Sequence, residues 1–284
     1  MRLTTFSVDS SLGRWTHTEW RPPHLAALVE RVWHFEGRTS LPRERSFPAG
    51  HLEIILHLGP RFRDVDRSGK TLGHFPAACV TGIQLAPMVI EAPAEPCCVL
   101  GIRLRAAGAY VLLGTPADLA TDRTLDLADV VGASAPELTE RCYAASTVEA
   151  RFKIVARWIA ERLACAPEAH PGIAWAAQQL EQHGGATPIA DLRRETTLGN
   201  AKFVGTFRRQ IGLSPKRYAR VLRFQRALTL LRGQDGLAKA ALAAGFYDQA
   251  HMNAEFREFA GMTPVEFAQA ASYPNSASLA ESAL

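Results

Sequence analysis

From Arg193 to Arg232 the chain carries eleven Lys or Arg residues, at 193, 194, 202, 208, 209, 216, 217, 220, 223, 226 and 232. Against them stands the single acid Glu195, a net +10 within a whole-chain charge of +4. Guanidinium and ammonium groups at that density do one kind of chemistry, the neutralisation of a polyanion. A solvated helix face accounts for many charge runs, but ten uncompensated cations repel one another, and a phosphate backbone is the partner that relieves them. The charge is local. After Gly233 two basic residues face six acids, a net of −4, and Met1 to Gly172 holds 19 basic and 19 acidic residues.

A second group able to do chemistry lies in HLEIILH (51–57). Strand alternation puts His51, Glu53, Ile55 and His57 on one face and Leu52, Ile54 and Leu56 on the other. Imidazole and carboxylate are ordinary metal ligands, but there is no compact H-x-H pair and no fourth ligand, so no metal is expected. The three polar side chains either face solvent or line a ligand pocket, and Trp33, Phe35 and Trp15 either line the same pocket or belong to the core. The five cysteines, at 79, 97, 98, 142 and 165, form no CxxC pair and are expected as free thiols. Cys97 and Cys98 have no adjacent base, unless Arg103 folds back on them, and read as buried core thiols rather than reactive ones. A G-x-S-x-G elbow, a phosphate-binding Gly-rich loop and H-E-x-x-H are all missing, so neither catalytic residues nor a cofactor are expected.

These groups must be held by two different kinds of scaffold. Runs LVERVWHF (28–35), HLEIILHL (51–58), AACVTGI (77–83), MVIEA (88–92) and CVLGIRL (98–104) are strand-length, β-branched and separated by Pro and Gly. Helical spacing follows in AGAYVLLG (107–114), PELTERCYAA (136–145) and VEARFKIVARWIAERLA (148–164), and ACAPEAHPG (164–172) reads as a linker. Chain length fits two domains. The expected fold class is α+β: a mainly antiparallel β barrel or cupin-like domain with closing helices over 1–166, an all-α domain over 167–272, and a flexible tail over 273–284. With 47% hydrophobic residues and no apolar run of spanning length, the chain reads as soluble. The opening MRLTTFSVDSSLGRW has no signal-peptide pattern, and the cytoplasm is the expected compartment.

The helical half contains a repeat. Phe207 begins FRRQIGLSPKRYA and Phe256 begins FREFAGMTPVEFA, the same F-R-x-x-x-G-[LM]-[ST]-P-x-x-[YF]-A pattern at an offset of 49 residues. Gly212 and Gly261 can end a helix at C′, Ser214 and Thr263 can cap the next, and Pro215 and Pro264 suit its first turn. IADLRRET (189–196) and LAKAALAAG (237–245) precede the two copies, giving two helix-turn-helix units joined by a long helix from Pro215 to Leu231.

GLSPKRYARVLRFQRALTLLR followed by LAKAALAAGFYDQAHMNAEFREFAGMTPVEF resembles the AraC/XylS type of bacterial transcription regulator, over roughly residues 173–270. SFPAGHLEIILHL and CCVLGIRLRAAGAYVLLGTP are similar to the barrel-like sensor domains of some of these regulators. The resemblance implies double-stranded promoter DNA as partner, a small-molecule effector at the N-terminal domain, RNA polymerase as a further partner and room for a homodimer. It also implies recognition helices in successive major grooves.

In the first recognition helix (200–211) Phe203, Phe207 and Ile211 form the core stripe, leaving Ala201, Lys202, Gly205, Arg208 and Arg209 outward. In the second, Met252, Phe256 and Phe259 form the stripe, leaving Ala250, Asn253, Ala254 and Arg257 outward with His251 and Glu258 at the edges. Family members usually carry Arg where Gly205 and Ala254 stand, and Glu255 adds an acid where basic residues are expected. Ala201, Lys202, Gly205, Asn253 and Ala254 are the expected base-reading positions: Lys202 for guanine, Asn253 for adenine, the alanines for thymine methyl groups. Arg208, Arg209, Lys216, Arg217, Arg220, Arg223, Gln249, His251 and Arg257 are the expected phosphate contacts. Two other readings stay open: a metal- or thiol-dependent sensor or enzyme delivered to DNA, and a helix-turn-helix pair that has drifted to protein binding.

Overall fold

The computed structural model describes residues 1–66, 68–232, 236–270 and 279–281. Its N-terminal half is built from strands β1 (Leu3–Ser10), β2 (Gly13–Trp20), β3 (Val29–Thr39), β4 (Arg43–Ser46), β5 (His51–His57), β6 (Arg63–Val65), β7 (Thr71–His74), β8 (Ala78–Thr81), β9 (Met88–Glu91), β10 (Cys97–Arg105) and β11 (Thr124–Asp126). Helices α1 (Ala106–Leu113), α2 (Leu127–Val131), α3 (Ser134–Ala144) and α4 (Val148–Ala164) follow or interrupt them. All pairings are antiparallel, in a seven-stranded sheet ordered β1-β2-β3-β10-β5-β8-β11 and a five-stranded sheet ordered β12-β4-β9-β6-β7, where β12 is Leu279–Glu281.

Alternation decides which face of the large sheet the helices cover. Leu52, Ile54 and Leu56 of β5, Leu100, Ile102 and Leu104 of β10, and Val32 of β3 are fully or almost fully buried. They share one core cluster with Ala106, Ala109 and Leu112 of α1 and Phe152, Val155 and Ile159 of α4. The residues between them in sequence form the opposite, half-buried face. Registers are clean there: Phe35 and His57 flank Val99, Trp33 and Ile55 flank Gly101, and Arg31 and Glu53 flank Arg103.

The C-terminal half is helical: α5 (Pro171–Gln182), α6 (Ile189–Glu195), α7 (Asn200–Ile211), α8 (Pro215–Arg232), α9 (Leu237–Ala244), α10 (Gln249–Ala260) and α11 (Pro264–Gln269). The repeated punctuation works as its chemistry requires. Gly212 and Gly261 take φ of +102° and +68° past α7 and α10, and the Thr263 hydroxyl and Glu266 form a capping box on α11. Phe203, Phe207, Ile211, Met252, Phe256 and Phe259 are all fully buried, as the stripes require.

Core packing does not stop at the linker, because one hydrophobic cluster runs through both halves. Phe47, between β4 and β5, is inserted into the aromatic cluster of the second unit, edge-on to Phe224 at 6.4 Å and Phe267 at 5.6 Å. The Tyr218 hydroxyl shares its one proton between the Gly50 carbonyl at 3.0 Å and Glu181 at 2.8 Å, and Arg105 reaches the same Glu181 at 3.1 Å. Gly50 suits this approach, since a Cβ there would stand 2.6 Å from the Leu222 Cδ2 methyl and force that side chain to shift. The expectation of a flexible tail needs correction at residues 279–281, which pair with β4, with Leu279 buried in the core; residues 273–278 and 282–284 lie outside the described residues.

Candidate functional site

α7 presents Ala201, Lys202, Gly205, Arg208 and Arg209 to solvent. Gly205 has nothing within 4 Å of the place a Cβ would occupy, so the outer face is open there. The C-terminal turn of α7 is seated on the N-terminal half. Arg208 pairs with Asp118 at 3.0 Å, the Arg209 guanidinium lies 5.8 Å from the Tyr110 ring centroid, and the Thr121 hydroxyl donates to the Gly212 carbonyl at 2.8 Å. Lys216 and Arg217 are exposed on the first turn of α8.

α10 is capped by Asp248, whose carboxylate accepts the His251 amide at 2.7 Å. Gln249, Ala250, His251, Ala254 and Arg257 are exposed, and Asn253 is half-buried. Glu255, which stands where a basic residue was expected, does not lie on the exposed face of α10. It is 6% exposed and turned toward α8, where Arg220 Nε meets its Oε1 at 2.8 Å.

Two expected phosphate contacts are therefore corrected. Arg220 is committed inside the domain, bonded to Glu255 and Glu258, with its guanidinium 5.1 Å from the Phe259 ring centroid. Arg223 is half-buried and donates to the Gly185 carbonyl at 3.2 Å, tying α8 to the turn after α5. A carboxylate and a carbonyl take the donors that phosphate would have used. Lys202, Arg208, Arg209, Lys216, Arg217 and Arg257 remain at the surface.

The five expected pocket residues, Trp33, Phe35, His51, Glu53 and His57, do share one face of the large sheet. Glu53 accepts from Arg103 Nε at 2.7 Å and from Trp33 Nε1 at 3.3 Å. Burial alone would raise its carboxyl, but the charge of Arg103 holds it down to about 2. Burial keeps His51 neutral, lowered to about 3 with help from Arg103. His57 belongs to a neighbouring arrangement, bonded to the Pro76 carbonyl at 3.1 Å and stacked on Phe75. Trp15 and Phe35 stack on each other at 5.9 Å. Sequence reasoning missed Arg31, His17 and Phe6, which share this face; the only signal was that Arg31 stands two residues before Trp33 in an alternating strand.

On the helix-covered side, His34, Cys98 and Arg151 meet. Cys98 Sγ is 3.3 Å from His34 Nε2, and Arg151 Nη1 lies 2.7 Å from the same nitrogen and 3.4 Å from the sulfur. A base from α4 thus stands beside Cys98, which the neighbouring residues in sequence did not announce. Burial outweighs it: the Cys98 thiol is raised from its ordinary value, Cys97 is pushed up to about 12, and His34 is lowered to about 4 by burial and Arg151. Glu36 completes a potential three-donor group with His34 and Cys98, but the guanidinium already takes the lone pairs a cation would need.

Residues 192–270 match the family described as a helix-turn-helix domain, and residues 21–126 match a domain of unknown function. A curated relative, an uncharacterized HTH-type transcriptional regulator of Haemophilus influenzae, is 29% identical over 94 residues, covering 33% of this chain and 32% of its own length. The chain thus spans about a third of that relative. Among solved structures, ToxT from Vibrio cholerae aligns over 80% of this chain and 95% of its own at 10% identity and a TM-score of 0.45. The AraC-like transcriptional activator CuxR aligns over 79% and 86% at 17% identity and a TM-score of 0.32. No helix among the described residues is long and apolar enough to cross a membrane.

Proposed function

With an AraC-type helix-turn-helix domain at its C-terminal end, we propose that this chain is a sequence-specific, DNA-binding transcriptional regulator whose N-terminal half takes a small effector. The observation that carries the reading is the pair of helices α7 and α10. They repeat at 49 residues, each bury an apolar stripe (Phe203, Phe207 and Ile211; Met252, Phe256 and Phe259) and leave Lys202, Arg208, Arg209 and Arg257 exposed beside the outward Ala201 and Ala254. Lys202 and Asn253 read bases, and Arg208, Arg209, Lys216 and Arg217 hold phosphates.

The first unit supplies most of the grip, because α10 offers only Arg257, Gln249 and His251 to the backbone. A drifted protein-binding pair would have lost its exposed basic residues, and α7 with the start of α8 retains five of them. A thiol-based reading has little support while burial keeps Cys97 and Cys98 protonated.

Fluorescence anisotropy on promoter DNA at two salt concentrations tests the proposal, and affinity that ignores salt refutes it. Lys202→Ala and Asn253→Ala are expected to reduce discrimination between specific and random DNA, and Arg209→Ala to weaken both alike. Equal losses for all three contradict the assignment of roles.

A further inference from the structure

α7 and α10 match in chemistry as well as in length. Both run for 12 residues from equivalent starts, and position by position their burial agrees everywhere except at Thr206 and Glu255. The buried positions agree because each helix packs into its own unit. Packing places no such demand on the exposed positions: nothing lies within 4 Å of where a Cβ on Gly205 would stand, and glycine there costs about 1 kcal/mol of helix propensity relative to alanine.

The exposed positions match all the same. Each helix opens on a carboxamide, Asn200 or Gln249, followed by Ala201 or Ala250 and then by a side chain with a nitrogen donor, Lys202 or His251. One turn after the alanines, on the same side of each helix, Gly205 and Ala254 keep the surface low, and Arg208 and Arg257 then stand out again. Two pairs depart from the match. Arg209 and Glu258 differ in sign, and each leans on the chain itself, Arg209 over the Tyr110 ring and Glu258 on Arg220. Val204 and Asn253 occupy the same half-buried flank, where only Asn253 brings hydrogen-bonding groups.

Donors, methyl groups and low places in one fixed helical order select the same base edges wherever such a helix enters a major groove. We propose that a single chain recognises the same short base-pair motif twice, once with each helix, the copies being centred about 10.5 base pairs or a multiple of that apart. Asn253 adds an adenine preference to the copy under α10. The proposal rests on the DNA-binding reading above and names the layout of the sequence bound. Two unrelated blocks would call for two different outward faces.

Selection by the full chain from duplexes with a randomised core of about 30 base pairs, long enough for both copies, is the test. The expected product holds one motif twice, and sedimentation of the complex shows one chain per pair of copies. Scrambling either copy is expected to weaken binding about tenfold or more in anisotropy. Repeated with Gly205→Arg and with Ala254→Arg, the selection is expected to bring in a guanine at the corresponding place of a different copy in each case, because arginine pairs with guanine O6 and N7. Asn253→Val is expected to remove the added adenine and leave the copies alike. Thermal midpoints close to the parent's are expected for all three variants and keep the comparison interpretable. A single block, two unrelated blocks, two chains each seated on one copy, or guanines entering at places that do not correspond overturns the proposal. Absence of any enrichment with salt-sensitive affinity also overturns it and leaves a DNA-binding protein, whereas affinity that ignores salt removes the DNA-binding reading and the proposal with it.

Discussion

Arg220 gives the sharpest contrast between counting charges and seeing where they go. On a phosphate-contact reading, Arg220→Ala lowers DNA affinity, reduces the salt slope by about 0.9 and leaves stability alone. In the structure Arg220 bridges Glu255, whose side chain is 7% exposed, and Glu258 at the edge of α10, and it covers the Phe259 ring. Removing it leaves Glu255 buried, with Oε2 already lacking a partner. Breaking one side of a buried pair costs about 3 to 5 kcal/mol; with Arg220 itself 23% exposed and Glu258 about half exposed, the lower end, about 3 kcal/mol, is expected. For an m-value of about 2 kcal/mol/M, that moves the urea midpoint down by about 1.5 M. Urea titration followed by circular dichroism reads the stability, and anisotropy across salt concentrations reads the slope. An unchanged midpoint with a slope reduced by about one counterion would refute the internal-bridge assignment. Arg220→Met with Glu255→Leu is the control, since removing both partners is expected to restore much of the loss.

Gly205→Ala, in an exposed helix interior with open space around it, is expected to stabilise the chain by about 1 kcal/mol, checked by the same titration. Gly205→Arg is expected to tighten DNA binding, and a loss of affinity would place that face elsewhere than against DNA. Phe47→Ala, which empties a 7% exposed position between Phe224 and Phe267, is expected to cost about 3 to 5 kcal/mol, and unfolding unaffected in the helical half would show the contact to be idle. Acid provides an independent check. His34, 2% exposed, is lowered to about 4, so its contribution is present above pH 6.5 and lost as pH falls from 6.5 toward 4, about 2 kcal/mol by pH 5. His17, His51 and His57 shift in the same direction and Glu181, raised by burial, in the opposite one. Stability that stays flat from pH 7.5 to 5 would contradict the neutral burial of His34.

The helical half was legible because its signals are local. Gly-[ST]-Pro punctuation and 3.6-residue stripes place α7, α8, α10 and α11 without knowledge of their neighbours. In the β half, β5 and β10 announce themselves as apolar runs, but RERS (β4), RDV (β6) and TLGH (β7) are short and polar and exist because a distant strand completes their ladder. The strands GRWTHTEW and LTTFSVDS carry polar or charged residues at most positions and do not stand out as apolar runs. Which residues of α7 and α10 face outward followed from periodicity. Arg220 and Arg223 did not, because their partners Glu255 and Gly185 lie 35 and 38 positions away. Arg31 was hidden for the same reason: its burial depends on which strands flank β3.

Phe47, Pro48 and Gly50 make each half of this chain incomplete alone. Severed near residue 166, the helical half would display an aromatic cavity at Phe224 and Phe267 where Phe47 had been, and α7 would lose its seat on Tyr110 and Asp118. The sheet would lose Tyr218 and Gln225, which hold the Gly50 and Pro48 carbonyls. Grafting a foreign N-terminal domain onto these helices would thus require the graft to carry its own equivalent of Phe47. The chain is better treated as one cooperative body than as interchangeable modules, and intact protein is the right material for its biochemistry.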